Sequence, residues 1–270
     1  MISRLSRADE GELRALLATD PVTYCFPCAI LDERGIGSGQ VLFHGLRQGG
    51  ALKAAVAIIG KARLAVPIGG EKKEQQELGK ALRGQIRGVI GRRDLADSLW
   101  EAGGTEEPWL VHAHRLYRIT AEDMGPWTAP GLRLATASDL PEVLPYAAAM
   151  QEEETGRDPL AEDPAGYRDR TAARIDAGRL YVLEEDGEVV FQVAMGAVGS
   201  FGAQLEGVYT PPIFRGLGYA SQGLGQLCRT QLSRLPRLTL TVNEANREAV
   251  ALYRKLGFVQ GAAFRMIRAD

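Results

Sequence analysis

The spacing of apolar and polar residues divides the chain into short strands and amphipathic helices. In the second half, a strand is predicted near 132 to 135, a helix from about Asp139, and a second helix from about Pro164 to Asp176. "RLYVLEEDGEVVFQVAMGAV" holds two β-rich runs around "EEDGE", whose Asp-Gly is a hairpin signal. "AQLEGVYT" is a third strand, stopped by Pro211 and Pro212. After it, "GYASQGLGQLCRTQLSRL" reads as a helix, "LTLTV" as a strand, "NREAVALYRKL" as a helix and "FRMI" as a last strand. Hairpins first and strand-helix-strand crossovers later predict an α/β fold of the α+β kind on one mixed sheet.

The pattern also repeats. "RLSRADEGELRALL" from Arg4 and "RLATASDLPEVLPYA" from Arg133 each read as a strand, a capping Asp or Ser and an amphipathic helix. "VIGRRDLADSLWEAGG" from Val89 runs parallel to "VNEANREAVALYRKLGF" from Val242, matching Val89 to Val242, Ala96 to Ala249, Leu99 to Leu252, Trp100 to Tyr253 and Gly104 to Gly257. Two echoes in the same order imply two copies of one unit. "AEDMGPWTAPG", 121 to 131, is the natural linker, which places the domains at 1–125 and 131–270.

Composition narrows the function. At 270 residues, 45% of them hydrophobic, the chain can bury a sizeable core. The net charge of −2 leaves no basic field for nucleic acid. No apolar run reaches the ~18 residues of a membrane span, and the N-terminus has no signal-peptide core. Three cysteines make no disulfide framework, which fits the cytoplasm. Cys25 and Cys28 have CxxC spacing but lack further ligands at finger-like spacing, so the segment reads as a buried apolar run and no metal is expected. His112 and His114 fall on one side of a strand with no carboxylate or cysteine near them in sequence, which favours a packed or solvated strand face over a site.

One stretch carries chemistry. In "TPPIFRGLGYASQGLG", a loop turning into a helix near Gly218 directs backbone N–H groups outward, where the helix dipole favours an anion. Gly216 and Gly218 let a pyrophosphate approach without a Cβ, and Arg215 adds positive charge. By itself this pattern also fits an ordinary tight turn.

"R-G-x-G-x-A" after a proline-stopped strand, followed about 25 residues later by "VNEANREAVALYRKLGF", resembles the acetyl-coenzyme A site of the GNAT family of N-acetyltransferases. The resemblance covers 132 to 270, and with "EEETGRDP" and the N-terminal half it is similar to a bacterial subgroup in which a poorly characterised domain precedes the GNAT domain. It implies that backbone groups of Val208, Tyr209 and Thr210 bind the pantetheine arm of acetyl-CoA. It also implies that amides of Arg215, Gly216, Leu217, Gly218, Tyr219 and Ala220, helped by Ser221, hold the pyrophosphate. Asn246 matches the position that orients the cofactor, and Tyr253 the tyrosine that protonates the departing thiolate. An amine attacking a thioester must lose a proton, and Glu206 is the candidate base, though an exposed strand glutamate is also read as a solvated face. The three carboxylates at 152 to 154 lie where similar enzymes bind the acceptor, and would attract a cationic amine if they are more than a solvated helix end.

In the first half the corresponding loop falls in "LAVPIGGEKKEQQELGKAL". Gly69 and Gly70 are present, but Glu71 and Glu74 stand where phosphate needs positive charge, and Trp100 replaces the tyrosine. The first half is therefore expected to be a degenerate, non-catalytic copy, with Lys72 and Lys73 its only anion-binding feature. The expected activity is transfer of acetyl from acetyl-CoA to a primary amine. The rival is a non-catalytic acyl-CoA sensor, and a third reading admits a longer acyl chain beside Gly196, Ala197 and Gly199. Acceptor and oligomeric state are open.

Overall fold

The computed structural model describes residues 1–270 and builds the two halves on the same order of elements, the second with one additional short helix, α6. The first half runs β1 (Ile2–Arg4), α1 (Glu10–Leu17), α2 (Cys25–Arg34), β2 (Val41–Gln48), β3 (Ala51–Ile59), β4 (Leu64–Gly69), α3 (Lys72–Ala81), β5 (Gly88–Arg92), α4 (Arg93–Gly103) and β6 (Leu110–Ile119). The second runs β7 (Leu132–Leu134), α5 (Leu140–Thr155), α6 (Pro159–Glu162), α7 (Pro164–Asp176), β8 (Leu180–Glu185), β9 (Glu188–Gly199), β10 (Gly202–Tyr209), α8 (Tyr219–Leu232), β11 (Leu238–Asn243), α9 (Arg247–Leu256) and β12 (Val259–Arg268). The helix anticipated at Pro164 to Asp176 has those bounds, and the Asp-Gly hairpin turns through Asp186 and Gly187, both at positive φ. The four-residue α6 was not signalled by periodicity, being too short to show any.

Each half begins with the same capping device. The Asp9 carboxylate accepts from the Ser6 amide and hydroxyl, and the Asp139 carboxylate from the Thr136 amide and hydroxyl. An arginine completes each: Arg47 on Asp9 at 2.5 Å, and Arg133 on both oxygens of Asp139 at 2.8 Å.

The halves nevertheless form one twelve-stranded sheet, in the order β1-β2-β3-β4-β5-β12-β6-β11-β10-β9-β8-β7. The final strands are exchanged: β6, at the end of the first half, pairs with β11 of the second, and β12 pairs with β5 of the first. Exchange joins the two sheets edge to edge through the β6–β12 pair, so neither half presents a free edge there. The register also refines the repeat. Gly88 lies opposite Arg268 and Leu238 opposite Ile119, so Val89 corresponds to Thr239 rather than to Val242. The helix matches hold, because Gly104 and Gly257 both cap their helices four residues after Trp100 and Tyr253. What differs is the joint: β5 runs directly into α4, whereas Glu244, Ala245 and Asn246 intervene between β11 and α9.

Alternation along the strands sorts the helices. On β3, Ala55 and Ala57 face a core with α1 and α2, while Ala54, Val56 and Ile58 face α3 and α4. On β9, Phe191, Val193 and Met195 face α8 and α9, and Ala194 faces α5 and α7. Helix α2 reaches across onto the second half. An added Cβ at Gly199 would stand 2.6 Å from the Ala29 Cα, and Asp32 accepts from the Ser200 amide at 2.7 Å. This corrects the expectation of acyl-chain space at Gly196, Ala197 and Gly199. Glu206 occupies the space over Gly196, and α2 packs against the other two. The linker is packed as well, with Arg229 donating to the Trp127 and Gly125 carbonyls. No helix is long and apolar enough to cross a membrane.

Candidate active site

Strand β10 opens the site by breaking its pairing on both sides. Toward β9, the register shifts between Glu206 and Tyr209 around Gly207, which has φ +64°. Toward β11, it pairs only at Ala203 and Gln204, after which the two strands diverge. Val208, Tyr209 and Thr210 therefore lie on and just past the part of β10 that β11 leaves unpaired, and the buried Thr210 hydroxyl has no hydrogen-bond partner.

The loop after β10 makes one 3₁₀ turn at Pro212–Phe214 and enters α8 through Gly216 (φ +79°) and Gly218 (φ +91°). Both glycines take a backbone conformation that side chains disfavour. The Arg215 amide donates to the Pro212 carbonyl, but the amides of Gly216, Leu217, Gly218, Tyr219, Ala220 and Ser221 have no acceptor within the protein. Gly218 supplies no side-chain cap, and the first turn holds no acidic residue. The result is a run of outward N–H groups at the positive end of a fourteen-residue helix, suited to a pyrophosphate. The Arg215 side chain turns away from this run. It binds both oxygens of Glu153 at 2.7 and 2.9 Å and the Thr210 carbonyl at 3.0 Å, while the Tyr209 hydroxyl donates to the same Glu153 at 3.1 Å. An ion pair this exposed contributes about 0–1 kcal/mol, so its main effect is to fasten the loop to the end of α5.

Helix α9 borders the cleft opposite β10. Asn246 is its N-cap, accepting from the Ala249 amide at 3.0 Å. Tyr253 is buried, packed on Phe258 and Tyr117 with ring centres 5.6 and 6.2 Å away. Burial, and then the nearby Glu154 carboxylate, hold its hydroxyl well above the usual tyrosine range, so it is protonated near neutral pH.

On the acceptor side, Glu206 pairs with Arg174 of α7 at 2.6 Å. The three carboxylates ending α5 separate in role: Glu152 is exposed, Glu153 holds Arg215, and Glu154 turns to the cleft. Glu154 meets His114 of β6, Oε1 to Nε2 being 3.9 Å. His112 stacks beside His114, ring centres 6.2 Å apart, and its Nδ1 lies 3.1 Å from the Asn243 side-chain nitrogen. Sequence reasoning set this histidine pair aside because its carboxylate lies forty residues away and on the other half; only the strand exchange brings them together. Cys25 and Cys28 are buried in α2, and burial pushes the Cys25 thiol up to about 11, as expected of small apolar residues. No group of three or more metal-binding side chains stands together.

The equivalent place in the first half keeps the divergence of its strands, β4 pairing with β5 only at Leu64 and Ala65, but differs in its bonding. β4 pairs with β3 without interruption from Ala54–Gly69 to Ile59–Leu64, so there is no bulge. The Gly69 amide donates to the buried Tyr24 hydroxyl at 2.9 Å. Gln75, fully buried on α3, donates to the Gly69 and Ile68 carbonyls. At the helix start, the Glu74 carboxylate accepts from the Glu71 amide at 3.0 Å. Trp100 is partly buried on the core under α3 and α4.

The profile of the acetyltransferase (GNAT) family matches residues 146–258, which spans the end of α5, the β10 cleft, the glycine loop and α9. No curated protein matches the sequence. Among solved structures, a Drosophila protein superposes with TM-score 0.70 at 14% identity, covering 100% of this chain and 98% of its own. A GNAT-family acetyltransferase from Colwellia psychrerythraea gives TM-score 0.60 at 12% identity, with both chains covered in full. A tandem GNAT protein of the clavulanic acid biosynthesis pathway gives 0.51 at 13% identity, covering 100% of this chain and 98% of its own. Whole-chain likeness to a tandem protein fits the doubled order of elements, and the profile match falls on the half with the open cradle. A GNAT-family acetyltransferase domain therefore lies in the second half, over residues 146–258.

Proposed function

We propose that the chain transfers acetyl from acetyl-CoA to a primary amine of a small molecule or peptide by direct attack, with the cofactor held by the second half. The observation that carries this reading is the unpaired run of amides from Gly216 to Ser221 beside an interrupted β10. Those amides hold the pyrophosphate, backbone groups of Val208, Tyr209 and Thr210 run along the pantetheine arm, and Asn246 borders the cofactor from α9. The cofactor thioester then lies between β10 and Tyr253. Two reactants held in one cleft supply a large part of the rate, and backbone N–H near Val208 polarises the carbonyl. Tyr253, kept protonated by its burial, is the group placed to give a proton to the departing thiolate. The first half is a structural, non-catalytic copy, its helix start carrying Glu74 on the Glu71 amide and Tyr24 on the Gly69 amide in place of an anion.

The test is release of free thiol from acetyl-CoA against a panel of primary amines. Amine-dependent release supports the enzyme. Tight calorimetric binding with no release against any acceptor would favour an acyl-CoA sensor instead.

A further inference from the structure

Buried polar side chains are normally hydrogen-bonded, because an unpaired one loses its water without compensation. His114 departs from this. Its side chain is 1% exposed, and neither ring nitrogen has a hydrogen-bond partner. The nearest carboxylate, Glu154, lies at 3.9 Å, less than 1 Å beyond hydrogen-bonding range. Glu154 is 38% exposed, so it is open to the cleft on one side and to His114 on the other. Its neighbour Glu153 grips Arg215 and Tyr209, so the turn of α5 that carries Glu154 is fastened to the loop that would hold the cofactor.

We propose that Glu154 accepts the proton of the incoming amine and that His114, delivered to this site from the first half by the strand exchange, is its positioning partner. This deepens the acetyl-transfer reading and rests on it. Glu206, the carboxylate suggested by sequence, is tied to Arg174 at 2.6 Å, whereas Glu154 has no arginine in salt-bridge contact.

The proton balance is complete. One N–H bond of the bound ammonium breaks and an O–H bond forms on Glu154; that hydroxyl donates to the neutral His114 imidazole, giving the orphaned ring nitrogen its partner. The freed electron pair forms the C–N bond to the thioester carbonyl, and the C–S bond breaks. Tyr253 gives its proton to sulfur and is refilled by the second proton leaving nitrogen. The proton on Glu154 passes to water through its exposed side.

The surroundings favour this division. Burial pushes His114 down to about 4, so the ring is neutral and offers a lone pair, and burial raises Glu154 toward its protonated form. The charged and titratable groups facing the pair are His112 on β6, Arg268 on β12, Glu206 on β10, Glu244 after β11 and Tyr253 on α9. None is in salt-bridge contact with Glu154.

The test uses the full chain and reads kcat/KM for the amine against pH, with acetyl-CoA affinity measured separately by calorimetry. Glu154→Gln is expected to lower kcat/KM about 10²-fold near neutrality with cofactor affinity kept, and to recover as pH rises and the amine loses its proton unaided. His114→Gln places a donor against Glu154, which favours the carboxylate, so the acid limb should move to lower pH and the plateau should fall. A merely structural role would lower the rate equally at all pH values. An unchanged profile in both variants, or loss of the acid limb in Glu206→Gln alone, overturns the proposal while leaving acetyl transfer intact. Absence of thiol release from the wild-type protein would instead count against the acetyl-transfer reading. The pair is then read by nitrogen NMR of the His114 ring, whose resonances should respond to Glu154→Gln; a ring indifferent to that change overturns the pairing.

Discussion

The two helix starts at Gly218 and Glu71 occupy the same place in the two halves and do opposite things. At Gly218, positive-φ glycines bring the chain into α8 with no side-chain cap, and the first amides are left without acceptors. At Glu71, the chain enters α3 with its own carboxylate, Glu74, on the cap amide, and Tyr24 and Gln75 close the strand beside it. An anion site at a helix start requires that the protein decline to satisfy its own donors. The first half instead sets a carboxylate of its own, Glu74, at the same place, where an anion would have to sit.

The contrast can be broken most severely at Gly218. Gly218→Asp forces a side chain into a conformation at φ +91° and sets a carboxylate among the amides. Unit charges about 4 Å apart near a protein surface repel by about 4 kcal/mol. Acetyl-CoA affinity should therefore fall at least about 10²-fold by calorimetry, with the fold kept by circular dichroism. Next in size, Tyr253→Phe should lower turnover about 10²-fold with acetyl-CoA affinity unchanged; full turnover would remove the tyrosine from the mechanism.

A smaller effect separates the two capping aspartates. Hydrogen bonds from Arg133, then from Thr136, hold Asp139 far below the usual carboxylate range; the Ser6 amide, the Ser6 hydroxyl and Arg47 lower Asp9. Both groups bind protons less readily folded than unfolded. Their stabilisation is present above about pH 4 and lost as pH falls through the folded values. Asp139 is the less exposed, 10% against 24%, so Asp139→Asn should lower the melting temperature more than Asp9→Asn at pH 7 and should flatten the acid side of the stability curve more. The smallest effect is expected from Glu74→Ala, which removes one cap contact on an exposed helix start. It should lower the melting temperature by about 2 °C and leave turnover alone.

Much of the second half was legible because its signals are local. The Asp-Gly turn, the proline stop after β10 and the glycines at 216 and 218 each act on the few residues around them. The repeat was visible for the same reason, through Gly104 and Gly257 capping equivalent helices. The exchange of β6 and β12 was not legible, since nothing in a strand's own pattern states which of two equivalent edges it joins. With it went the meaning of His112 and His114: a histidine whose carboxylate comes from another half gives no spacing signal. The three-residue slip between β11 and α9 was likewise hidden, because matching the helices by sequence carried Val242 out of register with Val89.

The central claim is that the chain has one open cradle, at the Gly218 helix start, and one closed, at Glu71. Calorimetric titration of the full chain with acetyl-CoA tests it directly. The account predicts one site per chain, abolished by Gly218→Asp and unaffected by Glu74→Ala. Two sites per chain, or a single site that survives Gly218→Asp, would contradict it.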